Sequence, residues 1–340
     1  MYSFLNDYGE GAYPPILDAL LDTNLEQHSG YGTDYFSQEV GRILQQKTQN
    51  PNAQTFLVTG GTQANLLCLD ALLRPVEAVM CADSGHIFVN EAGAIEALGH
   101  KVVPVPSHDG KVSVELLRQT LAKYQFHPHV IRLKAVYITN STEVGTLYRL
   151  GELQAISEFC HQNNLFLMMD GARLGSALAS DDSDVTFADL GRLVDIFWLG
   201  GTKMGALFGE AIVINRPELA QDFAIYLKQH GALLAKGRVL GLQFLTLLQH
   251  DTFLKICDHA NQMAKKLANG LQTAGYQLVY PVQSNQVFAR IPQDLAEKLR
   301  QDFVFYDWQT LHDGNVVIRL VTSWATDEIQ ANKFLQSLVQ

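Results

Sequence analysis

FWLGGTKMG, residues 197–205, joins an apolar run to a single lysine. Residues 196–199 (IFWL) are all apolar, which is typical of a strand that is buried on both faces of a sheet. Two glycines and a threonine follow, and then Lys203. Because glycine lacks a side chain, this order leaves open space around a primary amine at the end of the strand. The stretch therefore predicts a buried strand that delivers a functional lysine.

Strand-like and helix-like segments alternate on both sides of this stretch, between about residue 53 and residue 215. The predicted strands are AQTFLVTG, AVMCA, KVVPVP, LKAVYIT, LFLMMD and DIFWLGG. The predicted helices between them include TQANLLCLDALL, IFVNEAGAIEALG and LGELQAISEFCHQNN. Continuous apolar strands separated by helices predict a doubly wound, mostly parallel α/β sheet sandwiched by helices.

The C-terminal part of the chain has a different pattern. Residues 216–265 are largely helical in character, and the shorter strands NQVFARI and NVVIRLVTSW follow, with a closing helix at 327–339. This order predicts a smaller α+β domain. We therefore expect a large domain over residues 1–245, whose N-terminal segment contributes to the active site, and a small domain over residues 246–340.

Composition and charge exclude several classes of protein. The chain has 340 residues, of which 47% are hydrophobic, and a net charge of −10. Its overall field disfavours binding to nucleic acid or to an anionic membrane, and no apolar run approaches the roughly 20 residues that span a bilayer. The N-terminus lacks the features of a signal peptide, and the four cysteines are far apart. We expect a cytoplasmic protein with reduced thiols and no zinc or other metal site.

The ends of the predicted strands carry the chemically reactive residues, and in open α/β sheets ligands bind beyond these ends. The first strand leads into TGGTQAN, residues 59–65, where glycines before a helix leave backbone N–H groups free to bind an anion. This segment is neither a Walker loop nor GxGxxG, so a dinucleotide is not indicated. Later strands deliver His86, then the loop NSTEVG, then Asp170 with Arg173 close behind, and finally Lys203.

Pyridoxal phosphate is the cofactor that needs this set of groups. Its phosphate suits the helix start, and its aldehyde suits Lys203, which would form a Schiff base. Its ring nitrogen accepts electrons only while protonated, and Asp170 would keep the proton there. The ring is flat, so a side chain such as His86 can stack on it.

Several short motifs carry a resemblance to a known family. The sequence resembles the threonine aldolase and β-eliminating lyase family of fold-type-I pyridoxal-phosphate enzymes along nearly its whole length. The pair DGAR and GGTK, some thirty residues apart, is specific. The other matching motifs are NDYGEG, GYGTD at 30–34, GGTQAN, GHIFVNEAGA, NSTEVGT, KGR at 236–238 and IRLVTSWAT at 318–326.

The resemblance implies the roles of the groups nearest the cofactor ring. Lys203 is implied as the Schiff-base lysine, and Asp170 as the group that faces the pyridine nitrogen. His86 would stack on the ring, and it or a water that it holds would take the proton of the substrate hydroxyl. Glu91, on the helix after His86, is expected to orient a neighbouring side chain.

The resemblance also implies which positions bind anionic groups. Gly61 and Thr62 would hold the phosphate, and Arg238 would reach the phosphate in the neighbouring subunit's site. Arg173 would lie near the cofactor phenolate and the substrate. Arg319 would pair with the substrate carboxylate, for which its planar fork is suited.

Two positions depart from the family pattern. Many members carry serine where this chain has Asn6, at a position that helps to hold the substrate carboxylate. Many also carry histidine in the loop that aligns with NSTEVG, where this chain has Thr142 or Glu143. The sequence therefore leaves open how the β-hydroxyl is deprotonated.

The resemblance also gives Tyr31 a role. Tyr31, in GYGTD, would approach the substrate from the partner chain.

The implied activity is cleavage of the Cα–Cβ bond of a β-hydroxy-α-amino acid. L-Threonine or L-allo-threonine would give glycine and acetaldehyde, as in a low-specificity threonine aldolase, in a homodimer or homotetramer with shared active sites. The alternative is a β-eliminating lyase that acts on an aromatic or sulfur amino acid. A catalytically silent binding protein is disfavoured because Lys203 is present, and a nucleotide-linked dehydrogenase because GxGxxG is absent.

Overall fold

The computed structural model describes residues 1–338, which form thirteen strands and fourteen α-helices. The strands are β1 (Tyr2–Ser3), β2 (Gln54–Val58), β3 (Glu77–Ala82), β4 (Lys101–Val105), β5 (Arg132–Thr139), β6 (Phe166–Asp170), β7 (Ile196–Gly200), β8 (Glu210–Ile214), β9 (Gln277–Leu278), β10 (Gln286–Pro292), β11 (Phe303–Val304), β12 (Tyr306–Thr310) and β13 (Asn315–Val321). The helices are α1 (Pro14–Asp22), α2 (Tyr35–Thr48), α3 (Gly61–Leu72), α4 (His86–Val89), α5 (Ala94–Ala97), α6 (Val114–Lys123), α7 (Leu150–Gln162), α8 (Leu174–Leu178), α9 (Phe187–Leu193), α10 (Phe223–Gln229), α11 (Arg238–Leu248), α12 (Thr252–Thr273), α13 (Gln293–Leu299) and α14 (Glu328–Ser337).

A seven-stranded sheet, in the order β2-β8-β7-β6-β5-β3-β4, forms the centre of the larger part of the chain. From β7 to β4 every neighbouring pair is parallel, whereas β8 runs antiparallel to both β2 and β7. The connection between β7 and β8 spans only residues 201–209, and a parallel crossover needs about a dozen residues or more. The predicted, mostly parallel sheet is confirmed, and the short turn explains its one reversed strand.

Helices cover both faces of this sheet. On one face, α3, α5 and α10 pack over side chains that include Tyr137 and Trp198. On the other face, α2, α7, α9 and α11 pack over side chains that include Val136 and Phe197. The central strands are therefore buried on both sides, which is why they appear in the sequence as continuous apolar runs.

The segment IFVNEAGAIEALG, predicted as one helix, forms two short helices instead. The chain leaves α4 after Val89 and enters α5 at Ala94. Between them Ala92 and Gly93 have φ angles of +51° and +73°. A residue in the left-handed region cannot continue a right-handed helix, so the prediction of a single helix is wrong.

The C-terminal part contains a four-stranded antiparallel sheet in the order β12-β13-β10-β9. Helices α12, α13 and α14 contribute to a separate apolar core beside it. The predicted strands here are β10 and β13, while β12, with its polar sequence YDWQT, was not predicted. The predicted closing helix is α14, and residue 339 of that prediction lies outside the described residues.

Two features connect the N-terminal and C-terminal parts. Strand β1 pairs in parallel with β11, so the N-terminus begins on the C-terminal part before the chain crosses to the large sheet. Helix α12 contributes Phe253 and Ile256 to the core of the large sheet, and Leu267 and Leu271 to the core of the small one. The division of the chain near residue 245, a position inside α11, stays a prediction.

None of the helices within residues 1–338 has the length and apolar character that crossing a membrane requires.

Candidate active site

A cavity of about 310 Å³ lies at the carboxyl ends of β5, β6 and β7, beside the start of α3. Its volume is within the usual range for a small-molecule site, about 300–1,000 Å³. Six of the ten predicted site residues line it, and they come from four separate segments of the chain. They are Gly61, Thr62, His86, Asp170, Arg173 and Lys203. The fold therefore brings together groups that are far apart in the sequence.

Asp170 forms the floor of the cavity at the end of β6. It lies two residues after Met168, whose side chain packs in the core below α3, so the carboxylate points to the same face. Its Oδ2 accepts hydrogen bonds from Asn65 Nδ2 (2.9 Å) and Tyr137 Oη (2.5 Å), and its Oδ1 accepts one from the Ala172 N–H (2.9 Å). Three donors around one buried carboxylate suit an anion.

The start of α3 forms the wall beside this floor. Gly60 precedes the helix without a side-chain cap, and the first N–H groups of a helix have no intrahelical acceptor. A Cβ atom on Gly61 would lie 2.9 Å from Cη2 of Trp198, so only glycine fits here. Asn65, one turn further on, accepts a hydrogen bond from Trp198 Nε1 (2.9 Å). The N-terminal end of α3 is thus fixed to the floor by the same tryptophan and asparagine.

Lys203 lies in the turn between β7 and β8, and Glu210 fixes this turn. Oε2 of Glu210 accepts a hydrogen bond from the Gly201 N–H (3.0 Å), and Oε1 accepts one from the Thr202 hydroxyl (2.9 Å). The Gly209 N–H donates to the Thr202 hydroxyl oxygen (3.0 Å). A buried carboxylate therefore sets the backbone path that directs the lysine into the cavity.

The electrostatic surroundings of Lys203 favour a reactive amine. Burial lowers the pKa of Lys203, and the charge of Arg173 lowers it further, while Asp7, Asp170 and Glu210 act in the opposite direction. Burial also raises the pKa of Glu210. Both groups are shifted toward their neutral forms, and a neutral amine is a nucleophile.

His86, the first residue of α4, forms another wall. Its Nδ1 donates to Oε1 of Glu91 at 2.7 Å, and the same oxygen accepts a hydrogen bond from Asn65 Nδ2 at 2.7 Å. Burial acts to lower the pKa of His86, but the hydrogen bond to Glu91 and the charges of Asp170 and Glu91 outweigh it, so this pKa is raised. Glu91 orients both His86 and Asn65, in agreement with its predicted positioning role.

Arg173 lies on the cavity wall and is already paired within the chain. Its Nε and Nη2 donate to the two oxygens of Asp7 at 2.7 and 3.0 Å. Asp7 also accepts a hydrogen bond from Asn285 Nδ2 (2.9 Å). Burial acts to raise the pKa of Asp7, but the charges of Arg173 and Lys203 outweigh it and the pKa is lowered. The N-terminal segment thus fixes the arginine that lies between β6 and α8.

Arg319, on β13, lies off the cavity wall with part of its guanidinium unpaired. Its Cζ is 5.2 Å from the ring centre of Tyr306 and 5.7 Å from that of Trp308. Nη2 makes only a long hydrogen bond, 3.5 Å, to the Leu5 carbonyl. Its buried Nε has no hydrogen-bond partner within residues 1–338. Burial and the charge of Arg173 lower the pKa of Arg319.

The other three predicted site residues also lie off the cavity wall. Asn6 Oδ1 accepts a hydrogen bond from the N–H of Tyr8 (3.1 Å), which does line the cavity. Arg238, at the start of α11, donates to the carbonyl (2.9 Å) and hydroxyl (2.6 Å) of Thr23. Tyr31 is half exposed, with a φ of +61°. A single chain therefore does not bring Arg238 or Tyr31 to its own cavity.

Several residues of the site were not predictable from the sequence. Asn65 lies in the quoted motif GGTQAN, and Asp7 in NDYGEG, but neither position has a chemical signal of its own. Tyr137 and Trp198 belong to apolar runs and look like ordinary core residues. Glu210 is the exception, since a carboxylate directly before the apolar run AIVI is a detectable signal.

The donors and charges around the cavity fit pyridoxal phosphate. The start of α3 offers N–H groups to a phosphate, Lys203 offers an amine to an aldehyde, and Asp170 offers a buried carboxylate to a protonated ring nitrogen. His86 lines the same cavity and can cover a flat ring. Residues 1–338 contain no group of three or more His, Cys, Asp or Glu side chains arranged to hold a metal ion.

Comparison with solved structures gives the class of protein. The chain superposes on Thermus thermophilus aspartate aminotransferase with a TM-score of 0.73 at 16% identity, over 99% of this chain and 90% of that one. This likeness shows the fold, which is fold type I. It superposes on the threonine aldolase of Leishmania major with a TM-score of 0.98 at 42% identity, over 100% of this chain and 99% of that one. The fold and the cavity define a pyridoxal-phosphate-dependent enzyme.

Sequence comparisons give the family. The family model described as beta-eliminating lyase matches residues 16–294. The low specificity L-threonine aldolase of Pseudomonas aeruginosa is 33% identical over 328 residues, which cover 95% of this chain and 93% of that protein. The chain belongs to the beta-eliminating lyase family, and the predicted resemblance is confirmed. The protein is a pyridoxal-phosphate-dependent lyase.

Proposed function

We propose that the protein is a low-specificity threonine aldolase, which cleaves L-threonine or L-allo-threonine to glycine and acetaldehyde. One observation carries the proposal: Lys203, Asp170 and His86 line one cavity in a chain that matches threonine aldolases over nearly its whole length. The bond broken is Cα–Cβ of a β-hydroxy-α-amino acid. When bound, pyridoxal phosphate supplies the electron sink for this cleavage.

The groups around the ring have distinct proposed roles. Lys203 binds the cofactor aldehyde, with Glu210 fixing the turn that carries it. Asp170 holds a proton on the ring nitrogen, and its contacts with Asn65 and Tyr137 keep the carboxylate in place. His86 covers the ring. These roles are supported by burial and hydrogen bonding on the floor of the cavity.

Anion binding is the proposed role of four further residues. Gly61 and Thr62 hold the phosphate at the start of α3, where N–H groups are free. Arg319 binds the substrate carboxylate, and its unpartnered Nε supports this assignment. Arg173 would lie near the cofactor phenolate and the substrate, and its orientation is set by Asp7. Asn6 approaches the substrate from the rim of its own cavity, and Tyr31 approaches it from the partner chain.

A homodimer or homotetramer with shared sites is the proposed assembly. Arg238 contacts Thr23 at the end of α1 rather than the cavity of its own chain. Nearby Leu21 and Leu25 are 76% and 93% exposed, which is typical of an interface before its partner is added. In this proposal Arg238 and Tyr31 enter the site of the partner chain.

The domain division at residue 245 and a cytoplasmic location also belong to the proposal. The location is supported by the four cysteines, Cys68, Cys81, Cys160 and Cys257, which are all free and buried, as thiols of a reducing compartment often are.

Product analysis tests the proposed activity. The holoenzyme is incubated separately with L-threonine, L-allo-threonine, L-tyrosine and L-cysteine, with Lys203→Ala as the inactive control. We expect glycine and acetaldehyde, in equal amounts, from the first two substrates. Release of pyruvate and ammonia from tyrosine or cysteine, without aldehyde from threonine, would instead establish β-elimination and contradict the proposal.

A further inference from the structure

We infer that Glu143, in the loop between β5 and α7, takes the proton of the substrate β-hydroxyl. This inference rests on the proposed aldol cleavage, because only that reaction requires a base at this hydroxyl. The sequence leaves open whether Thr142 or Glu143 occupies the relevant position. The structure distinguishes them, since Glu143 lines the cavity, whereas Thr142 is fully buried and bonds to Thr146.

Two hydrogen bonds fix the Glu143 carboxylate beside the ring-binding groups. Oε1 accepts a hydrogen bond from the backbone N–H of His86 at 3.0 Å, and Oε2 accepts one from the Thr139 hydroxyl at 3.0 Å. Thr139 is the register partner of Asp170 across β5 and β6. The carboxylate is therefore fixed next to the strand end that carries Asp170, and each oxygen has a second lone pair to accept a proton.

A second polar group lies on the same wall of the cavity. Ser141 lines the cavity, and its buried hydroxyl oxygen has no hydrogen-bond partner in the part of the chain that the structure describes. A buried hydroxyl without a partner is costly unless a ligand completes its hydrogen bonding. Ser141 and Glu143 thus give this wall a donor and an acceptor, the pair that a substrate hydroxyl needs.

The surroundings adjust Glu143 to exchange a proton near neutral pH. Burial raises its pKa to about 7, with a further contribution from the charge of Asp170, while the hydrogen bonds from Thr139 and His86 act to lower it. A base is most effective when its pKa is close to the working pH. The ionisable groups that face Glu143 are Asp170 on β6, His86 on α4, Cys81 on β3, Tyr137 on β5 and Tyr148 beyond its own loop.

His86, the candidate from the sequence, is less suited to accept this proton. Its Nδ1 is bonded to Glu91, which leaves only Nε2 to accept a proton, whereas each oxygen of Glu143 keeps a free lone pair. The two neighbouring residues therefore have different roles: His86 covers the ring, and Glu143 accepts the hydroxyl proton.

Atoms and electron pairs are conserved in the proposed cleavage. The hydroxyl proton moves to an oxygen of Glu143, and the O–H electron pair forms the C=O bond of acetaldehyde. The Cα–Cβ pair stays with the glycine fragment, which takes up one proton at Cα before it leaves. Glu143 releases its proton to water, so one threonine gives one glycine and one acetaldehyde, without net proton change.

Replacing the carboxyl by an amide is the first test. In the Glu143→Gln holoenzyme we expect kcat for L-threonine to fall by about 10²–10⁴-fold, as for loss of a general base, with KM nearly unchanged. Exchange of the glycine α-proton with D₂O, followed by NMR, needs no β-hydroxyl and should continue within severalfold of wild type. Equal losses in both reactions would show a structural role and overturn the inference.

The pH profile assigns the ionisation. Wild-type kcat/KM should fall below a pH of about 7 because Glu143 must be ionised to act. Thr139→Val keeps the Glu143 carboxyl but removes a donor that stabilises its charged form. The acidic limb of the kcat/KM profile should therefore move to higher pH, with little change in the maximum kcat/KM. His86→Asn should keep this acidic limb. A limb that disappears in His86→Asn but persists in Glu143→Gln would overturn the inference.

Infrared spectroscopy gives a readout that does not depend on turnover. The spectrum of the wild-type holoenzyme minus that of Glu143→Gln should show a protonated-carboxyl band that disappears as the pH rises through about 7, while the band of buried Glu210, whose pKa is raised to about 8, is common to both proteins. A difference spectrum without this band would contradict the assignment. If the wild-type enzyme releases pyruvate instead of aldehyde, the proposed function fails; if it releases aldehyde and Glu143→Gln matches its rate, the inference alone fails.

Discussion

The floor of the cavity and the surface that carries Arg238 differ in how completely one chain builds them. On the floor, Asp170 receives hydrogen bonds from Asn65, Tyr137 and the backbone of Ala172, all within the same chain. On the surface, Arg238 bonds only to Thr23, and its buried Nε is without a partner among residues 1–338. In the proposed assembly, one chain holds the ring by itself and a second chain completes the anion-binding side.

The largest effect is expected from a mixing experiment that tests whether Arg238 acts in the site of the partner chain. Lys203→Ala removes the amine from a chain's own site, and cleavage should fall by about 10³-fold or more, as when a nucleophile is lost. Arg238→Ala removes an anion-binding group from the partner's site and should also be nearly inactive. In a mixed two-fold dimer one site carries both changes and the other carries neither. Random reassortment should therefore restore roughly a quarter of the sites.

The mixing experiment needs a check that hybrids form. Two different affinity tags isolate the mixed species, and threonine cleavage is measured on it. Arg118→Ala, on the exposed face of α6, serves as a control that should retain activity alone. If isolated hybrids are no more active than their parents, Arg238 acts within its own chain, and the difference between floor and surface disappears.

A second prediction sharpens the description of the floor. Asp170→Asn keeps the shape but removes the charge that faces the ring nitrogen, and loss of one partner of a buried pair costs ~3–5 kcal/mol. The cofactor Kd, measured by absorbance titration of the cofactor-free protein, should rise by about 10²–10⁴-fold. An Asp170→Asn variant that binds the cofactor like wild type would show that Asp170 is not the partner of the ring.

Tyr137→Phe gives the graded control for that measurement. It leaves the charge of Asp170 in place and removes one of its three donors. A hydrogen bond to a charged group contributes about 1.5–3 kcal/mol, so the cofactor Kd should rise by about tenfold to a hundredfold. The test is which variant raises the cofactor Kd more. A larger rise in Tyr137→Phe than in Asp170→Asn would mean that packing, rather than the charge of Asp170, dominates cofactor binding at the floor.

The floor also shows what the sequence could predict. Asp170 and Lys203 follow continuous apolar strands, and the carboxyl ends of parallel strands meet at one edge, so their approach could be predicted from pattern alone. The support for these groups could not. Asn65 lies 105 residues from Asp170, and Asp7 lies 166 residues from Arg173, so only the folded chain brings them together.

Local backbone detail was also beyond the sequence. The break between α4 and α5 depends on left-handed conformations at Ala92 and Gly93, and an alanine gives no warning of one. Glu143 could be identified as an alternative to Thr142, but its position on the cavity wall depends on the path of the loop after β5. The sequence pattern therefore predicts which strands carry the reactive side chains. The tertiary contacts determine the orientation and the pKa of each side chain.

The smallest expected effect concerns Glu143 and the stability of the cofactor-free protein. Because burial raises the pKa of Glu143 from its ordinary 4.5 to about 7, the folded state binds a proton more tightly than the unfolded state. The stabilisation from this proton is complete below pH 4.5 and is lost as the pH rises toward 7. Glu143→Gln cannot titrate, so its free energy of unfolding relative to wild type should rise by about 2–2.5 kcal/mol between pH 5 and pH 7.5.

Urea unfolding of both proteins at each pH measures this difference. Thr139→Val provides a control of opposite sign: the carboxyl loses a donor that stabilises its charged form, so the decline in stability with pH should become steeper than in wild type. The two carboxyl groups of the cavity would then differ in their surroundings. Asp170 accepts hydrogen bonds from three donors, whereas burial shifts Glu143 toward its neutral form. A Gln-to-wild-type difference that stays constant from pH 5 to pH 7.5 would mean that Glu143 titrates alike in the folded and unfolded states. Glu143 would then be no better adjusted to exchange a proton near neutral pH than an exposed carboxylate.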